Sequence, residues 1–491
     1  MSIDIVNNSG KEAAGKNNLT EVLRLLEIAG GKLNTEDDIV FRGSQMILPE
    51  RMSLKMAAEA IIQRIEMEEE EVAFARKFNF RPWDGAYATL NAMRKVFGMV
   101  GQVATYDMWG QKHPPEMRTV NISSTETVEV PWGHMTVAGL ENTEFELGST
   151  RDPDFGLVYY ISGTGPKKYR HAINGLFEMI QKELETNSIY RGKAFDGQTN
   201  PQFLDLGAVD EAKLVYAAEV MTQLDANIWA NLEHADVMVG EGVSLKRAVL
   251  LAGPFGTGKT MGLHITAQKA VASGWTSIYC RPGRDSFVDV LQTATLYQPC
   301  VVLLEDVDTI GASGEDADHV TKVLDIFDGI KAKGTQIIIV LTTNHPEALH
   351  KGLLRSGRID AIVEIGMLDI AGIEKLTRTL IRPELLANDL DFFKIGAAMD
   401  GYLPAFCKEA IERTIRYSIA RNHGEVGVLV TEDFVASAMG LRPQFNLMQE
   451  ASDKVQDRTI DQSFREMLSS MKVIRTDGSY FADLKEQTDR I

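Results

Sequence analysis

Cysteine is scarce: Cys280, Cys300 and Cys407 are the only three in 491 residues, and their spacing suits neither a disulfide framework nor a thiolate metal site. Two of them sit in apolar, strand-like runs, so buried free thiols in a reducing compartment are expected. No apolar run approaches the roughly 18 residues that cross a bilayer. The start, Met-Ser-Ile-Asp-Ile, carries no basic, apolar secretory signal. A cytoplasmic protein with no membrane partner is the expectation. Basic residues are in deficit, with 51 Lys+Arg against 69 Asp+Glu and a formal charge of −18. That balance argues against a nonspecific nucleic-acid binder, although it leaves room for a local basic patch. There is no H-E-x-x-H, no nucleophile elbow and no zinc knuckle, and His264, His319, His345 and His350 lack metal-ligand spacing. Internal repeats and low-complexity tracts are missing as well. What remains is an ordinary globular composition, 44% hydrophobic and 24% charged, on a chain long enough for two or three cores.

The most informative stretch is Gly253-Pro254-Phe255-Gly256-Thr257-Gly258-Lys259-Thr260. It fits G-x-x-x-x-G-K-[ST], a phosphate-binding loop. The run 247–252 reads as a buried strand entering it, and Met261 to Ala272 as the helix leaving it. Glycines there let backbone N–H groups face a phosphate with no Cβ in the way, and the helix N-terminus adds partial positive charge. Lys259 is placed to reach the β- and γ-phosphates, and the Thr260 hydroxyl to hold Mg²⁺. Met261, first on the helix, completes the nucleotide-binding set. A second such loop is absent, so one nucleotide site per chain is expected.

Around this loop the chain divides by pattern. Residues 1–52 read as a polar arm with one apolar turn at 22–28, and 53–200 as an α+β domain for partner recognition. There Leu54, Ala58, Ile61, Ile65 and Val72 recur at helical spacing, and the acidic run Glu68 to Glu71 reads as a solvated helix face rather than a docking patch. Between 119 and 161, short alternating runs separated by turn residues such as Pro131, Gly133, Gly139 and Asp152-Pro153 predict an antiparallel β unit. Gly163-Thr-Gly-Pro-Lys-Lys168 reads as a plain turn before a helix over 166–186. Residues 188–206 look like a connector, followed by one long helix over 209–233. From 247 to 366 strands and helices alternate, with strands at 248–252, 275–281, 300–305, 336–341 and 361–365, which predicts a parallel sheet covered on both faces, the core of a domain spanning 201–366. Helices alone fill 367–442, and 443–491 adds an amphipathic helix with Ile460, Phe464, Met467 and Met471 on one face.

The chemistry gathers at strand ends. Cys300 to Asp308 is a buried strand ending in acids, and at the carboxyl edge of a parallel sheet acids face the nucleotide's metal. One carboxylate should organise Mg²⁺ and its waters and the next polarise the attacking water. Gln336 to Asn344 is a strand ending in an amide that can orient that water or touch the γ-phosphate. Arg355 and Arg358 bracket Gly357. They read as surface charges, as helix C-terminal partners, or as arginine fingers, whose planar fork matches phosphate oxygens.

Four motifs in order, 253–260, 301–308, Asp328-Gly-Ile330 and 342–360, closely resemble the AAA subgroup of the AAA+ ATPases over about residues 225–440. The resemblance implies a Rossmann-like αβα ATPase core with a helical lid, homo-oligomeric and usually hexameric rings, and ATP-driven remodelling of a macromolecule. By position it makes Asn344 sensor 1, Arg355 and Arg358 fingers acting on a neighbouring subunit, and Asp328-Gly-Ile330 the inter-subunit signalling motif. Three departures stand out. The family's acidic strand ends Asp-Glu, whereas here Glu305 would support the metal and Asp306 be the base, one methylene shorter. Ile278 to Val288 passes almost directly from strand to helix, leaving no room for the usual aromatic pore loop, although Arg281 and Arg284 remain able to line a channel. Pro404 stands in Gly401-Tyr-Leu-Pro-Ala405 where the family has glycine. No attached metalloprotease is expected. The leading expectation is a ring ATPase that remodels a protein captured by the N-terminal unit. A nucleic-acid motor or loader, and a nucleotide-gated scaffold with slow hydrolysis, are the alternatives.

Overall fold

The computed structural model describes residues 39–42, 45–49, 51–98, 105–106, 112–113, 116–137, 139–281, 283–307, 335–346 and 359–448. The chain opens with a small hairpin, β1 (Val40–Arg42) and β2 (Gln45–Ile47), and helix α1 (Leu54–Glu69), whose N-terminus is capped by the Ser53 hydroxyl. Then follow β3 (Glu71–Phe78), α2 (Pro82–Phe97), the pair β4 (Thr105–Tyr106) and β5 (Lys112–His113), and β6 (Glu116–Asn121). Next come β7 (Thr127–Thr136), β8 (Glu144–Asp152), β9 (Gly156–Pro166) and α3 (Arg170–Thr186).

Antiparallel pairing builds the N-terminal sheet in the order β3-β9-β8-β7-β6. The antiparallel unit is as expected, but several of its boundaries are not. The helical stripe stops at Glu69, and the acidic run leads into an eight-residue strand, so Val72 belongs to β3. Gly163 and Gly165 are not a turn. They lie inside β9, opposite Phe74 and Val72. Pro131 and Gly133 do not end a strand either. Residues 127–132 of β7 pair with β6 and 133–136 pair with β8, so these two residues mark the point where the strand changes partners. A proline is tolerated there because its missing N–H falls where one side has no ladder to complete. Helices α2 and α3 cover the sheet around Phe78, Met93, Tyr159, Ile161 and Phe177, and Lys95 of α2 pairs with Glu183 of α3 at 2.5 Å.

The second sheet is wholly parallel, in the order β10-β12-β13-β14-β11-β15. Its strands are β10 (Ala194–Asp196), β11 (Arg247–Ala252), β12 (Thr276–Cys280), β13 (Cys300–Leu304), β14 (Ile337–Thr343) and β15 (Ala361–Glu364). β10 lies in the stretch read as a connector and pairs along the edge of β12. The expected long helix over 209–233 is instead broken into a 3₁₀ turn at Glu211–Lys213, α4 (Ala218–Leu224), a π turn at Asp225–Trp229, and short α5 (Ala230–Glu233) and α6 (Ala235–Gly240). The π turn brings Trp229 inward, where its indole donates to Thr266 Oγ1 at 3.1 Å.

Alternation sends successive residues of each parallel strand to opposite faces. Val249, Leu251, Tyr279, Val301 and Leu303 pack under α7 (Lys259–Ala272) with Trp229. Leu250, Ile278, Cys280, Val302 and Ile339 pack under α8 (Phe287–Leu296), and that core runs on without a break into the N-terminal unit. Buried Asp84 fastens the seam: it accepts from Tyr297 Oη (3.0 Å), Ser188 Oγ (2.6 Å) and Ile189 N (2.9 Å), while Arg81 N donates to the same tyrosine oxygen. Burial pushes the Asp84 carboxyl up to about 6 in spite of these donors.

The lid comprises α9 (Ile370–Leu380), α10 (Phe392–Ala398), α11 (Pro404–Arg421) and a helix over 431–448, packed around Ile395, Tyr402, Ile411 and Phe434. All three cysteines are buried free thiols, and burial pushes Cys280 and Cys407 up to about 12, which leaves them inert. Among the described residues no helix is long and apolar enough to cross a membrane. The arm turn at 22–28, the motif 328–330 and the amphipathic helix containing 460–471 lie outside the described residues.

Candidate functional site

The loop between β11 and α7 is built as its glycines require. Gly258 caps α7 at φ 93°, a left-handed value where a Cβ is disfavoured, and it sits against the Tyr216 ring. At Gly253 a Cβ would stand 2.1 Å from the carbonyl oxygen of Ile365, so only glycine lets β11 and β15 close on the loop. Lys259 Nζ donates to Gly253 O (2.6 Å) and Pro254 O (2.9 Å), and Thr257 Oγ1 also donates to Pro254 O (2.9 Å). The Tyr216 hydroxyl donates to Gly258 O at 2.7 Å, tying the loop to the segment before α4. From the lid, Ala405 N donates to Gly256 O at 2.9 Å. Pro404 occupies the first turn of α11, where its missing N–H costs nothing.

Beside the loop lies a cleft of about 530 Å³, a size that suits a nucleotide. Phe255, Gly256, Gly258, Lys259, Thr260 and Met261 line it on one side, with Asp306 and Asn344 from the strand ends. Thr260 Oγ1 donates to Glu305 Oε1 at 2.5 Å, and Tyr279 Oη donates to Glu305 Oε2 at 2.6 Å. Hydroxyl and carboxylate are hard oxygen donors at the helix N-terminus, the set that Mg²⁺ prefers.

Asp306 has φ 74°, a strained value for a residue with a side chain. The strain is held in place: its N–H donates to Thr342 Oγ1 (2.9 Å), that hydroxyl lies 3.3 Å from Asp306 Oδ1, and Asn344 Nδ2 donates to the same oxygen (3.0 Å). The two adjacent acids therefore serve different neighbours. Glu305 faces Thr260, and Asp306 faces the amide of Asn344.

The structure thus places Lys259, Thr260, Glu305, Asp306 and Asn344 together at the loop. Arg355 and Arg358 lie outside the described residues. Several lining residues were not foreseen. Ala208, Val209, Asp210 and Lys213 line the cleft, from a stretch that carries no chemistry-bearing motif of its own. His264, expected to be structural or superficial, also lines the cleft, one helical turn beyond Thr260. Burial lowers its imidazole's proton affinity, against the pull of Glu305. Tyr279 and Thr342 were visible only as members of strand runs. The link from β12 to α8 is short, Arg281 N being held by Asp285 Oδ2 at 2.8 Å.

Comparison with known proteins settles the family of this module. The sequence pattern of the family "ATPase family associated with various cellular activities (AAA)" matches residues 249–367. The chain carries an AAA ATPase domain. The AAA match begins inside β11 and ends just past β15, so it spans the phosphate loop, both acids and Asn344. The chain is 29% identical over 224 residues to the "ATP-dependent zinc metalloprotease FTSH 1, chloroplastic" of Oryza sativa subsp. japonica, covering 42% of this chain and 31% of that protein. It is 31% identical over 227 residues to the "ATPase family gene 2 protein" of Saccharomyces cerevisiae, covering 41% and 29%. Against the "Cell division cycle protein 48 homolog" of Archaeoglobus fulgidus it is 29% identical over 202 residues, covering 38% and 27%. The matched stretch spans about a third of the length of these relatives. ATP with Mg²⁺ is the family's usual nucleotide and metal, and the AAA domain's hydroxyl, carboxylate and glycine cradle fit both.

Proposed function

We propose that this chain is an ATP-hydrolysing ring ATPase, hexameric by its family likeness, that remodels or disassembles a protein partner held by its N-terminal unit. The observation that carries the reading is the division of labour between Glu305 and Asp306 beside a complete phosphate loop. Backbone N–H groups of 256–260 and Lys259 Nζ bind the phosphates, the ammonium exchanging its loop carbonyls for phosphate oxygens. Mg²⁺, when bound through Thr260 and supported by Glu305, offsets charge on the phosphate oxygens. Asp306 accepts a proton from the water that attacks the γ-phosphorus. As that P–O bond forms, the bond to the bridging oxygen of ADP breaks. Asn344 orients the water and the carboxylate together. Arg355 and Arg358, supplied by a neighbouring subunit, would meet the charge that develops on the transferred group.

Because one core runs from the N-terminal sheet to the ATPase sheet, a shift in the nucleotide site is passed to the partner-binding region by packed side chains rather than by a slack linker. A nucleotide-gated scaffold with slow hydrolysis is the second reading, favoured by the short reach of Asp306. Affinity capture with Asp306→Asn held in ATP tests the first. The expected result is a protein retained in ATP and released in ADP, from an assembly whose mass is a multiple of the chain's. A monomer that retains nothing in ATP would contradict it.

A further inference from the structure

We propose that the Tyr279 hydroxyl is a positioning group for the metal half of the ATPase site, holding one oxygen of Glu305 so that the other stays on Thr260. The inference rests on the ATPase reading above. Tyr279 is on β12 and stands in register with Leu303 on β13, one residue before the end of that strand. Its hydroxyl and that of Thr260 take separate oxygens of one carboxylate, at 2.6 and 2.5 Å. Glu305 is therefore fixed from two elements, β12 and α7, that do not otherwise meet at this atom. The phenol itself is held fast. It is 1% exposed, His264 packs against its ring at 5.5 Å, and the Arg281 guanidinium lies over it at 5.5 Å.

The acid order gives the contact a purpose. Glutamate has one more rotatable bond than aspartate, hence more freedom to lose when it is fixed for a hydrated metal. Outer partners of this kind orient the carboxylate and typically change metal affinity about 10- to 100-fold. A plain core tyrosine would need its ring and nothing from its oxygen.

Tyr279→Phe separates the two roles, since it keeps the ring and removes one atom. The measurement is Mn²⁺ binding by electron paramagnetic resonance in the presence of a non-hydrolysable ATP analogue. The Mn²⁺ dissociation constant should rise about tenfold, while metal-free affinity for the analogue and the melting temperature stay near those of the wild type. In a Glu305→Asp background, whose shorter side chain cannot span both hydroxyls, adding Tyr279→Phe should change Mn²⁺ affinity less than about twofold. Unchanged Mn²⁺ affinity in Tyr279→Phe, or an equal loss in both backgrounds, would overturn the positioning role and leave the ATPase reading standing. A wild-type chain that binds neither analogue nor Mn²⁺ would sink the ATPase reading itself.

Discussion

At the scale of single residues, the inverted order of the two acids has a local cause. Position 306 needs a left-handed backbone, and aspartate and asparagine tolerate that conformation far better than glutamate does. Position 305 must reach two hydroxyls, which the longer glutamate can do. Asp306→Asn keeps both the backbone tolerance and an acceptor for Asn344, so its stability should stay within about 1 kcal/mol of the wild type in urea unfolding. Gly258→Ala should behave differently. A Cβ at φ 93° costs about 1–2 kcal/mol, and it would press on the Tyr216 ring at 3.4 Å, whose hydroxyl holds the loop at Gly258 O. That variant should lose both stability and ATP binding. A Gly258→Ala protein with wild-type affinity for ATP would show that the loop does not cradle the phosphates.

At the scale of elements, the seam between α2 and the end of α8 depends on a buried carboxyl. Asp84 titrates near 6 in the fold and near 3.9 in an unfolded chain. The fold therefore favours its neutral form. The resulting stabilisation is full below about pH 4 and is lost as pH rises through 6. Asp84→Asn removes that dependence. The melting temperature of Asp84→Asn relative to wild type should thus improve between about pH 4.5 and 7.5. An equal gap at both values would place the titration elsewhere.

The seam also marks where sequence stops being legible. The five parallel strands around the loop were readable because each is a continuous apolar run bounded by turns, and their ends carry the chemistry. The sixth, β10, is three residues long and takes its identity from β12 alone. The β3 strand hid behind an acidic run that fits a helix face equally well by charge. Pro131 and Gly133 are ordinary turn signals, overruled by a strand that changes partners between them. In the site, Lys259, Thr260, Glu305, Asp306 and Asn344 follow from motif and position. The cleft lining from 208–213 and the hydroxyls of Tyr216 and Tyr279 come from tertiary closure, which local pattern does not encode.

At the scale of the whole molecule, the proposed ring would make each active centre a shared one. A Lys259→Ala chain has no working phosphate loop, and an Arg355→Ala chain has no finger to lend, so each alone should be inactive. Mixed, the first can lend its Arg355 to the intact loop of the second. Steady-state assays of the mixture should recover a fraction of wild-type turnover, against a loss of about 10³-fold or more in either variant alone. Failure to complement, with Arg355→Ala as active as wild type, would confine the reaction to a single chain.

The most direct test is the rate of phosphate release from saturating ATP and Mg²⁺ by the purified chain, compared with Asp306→Asn under the same conditions. A wild-type rate about 10²-fold or more above the variant is the predicted result. Equal rates, with ATP bound by both, would contradict the assignment of Asp306 as the base and of this cleft as the place where ATP is cleaved.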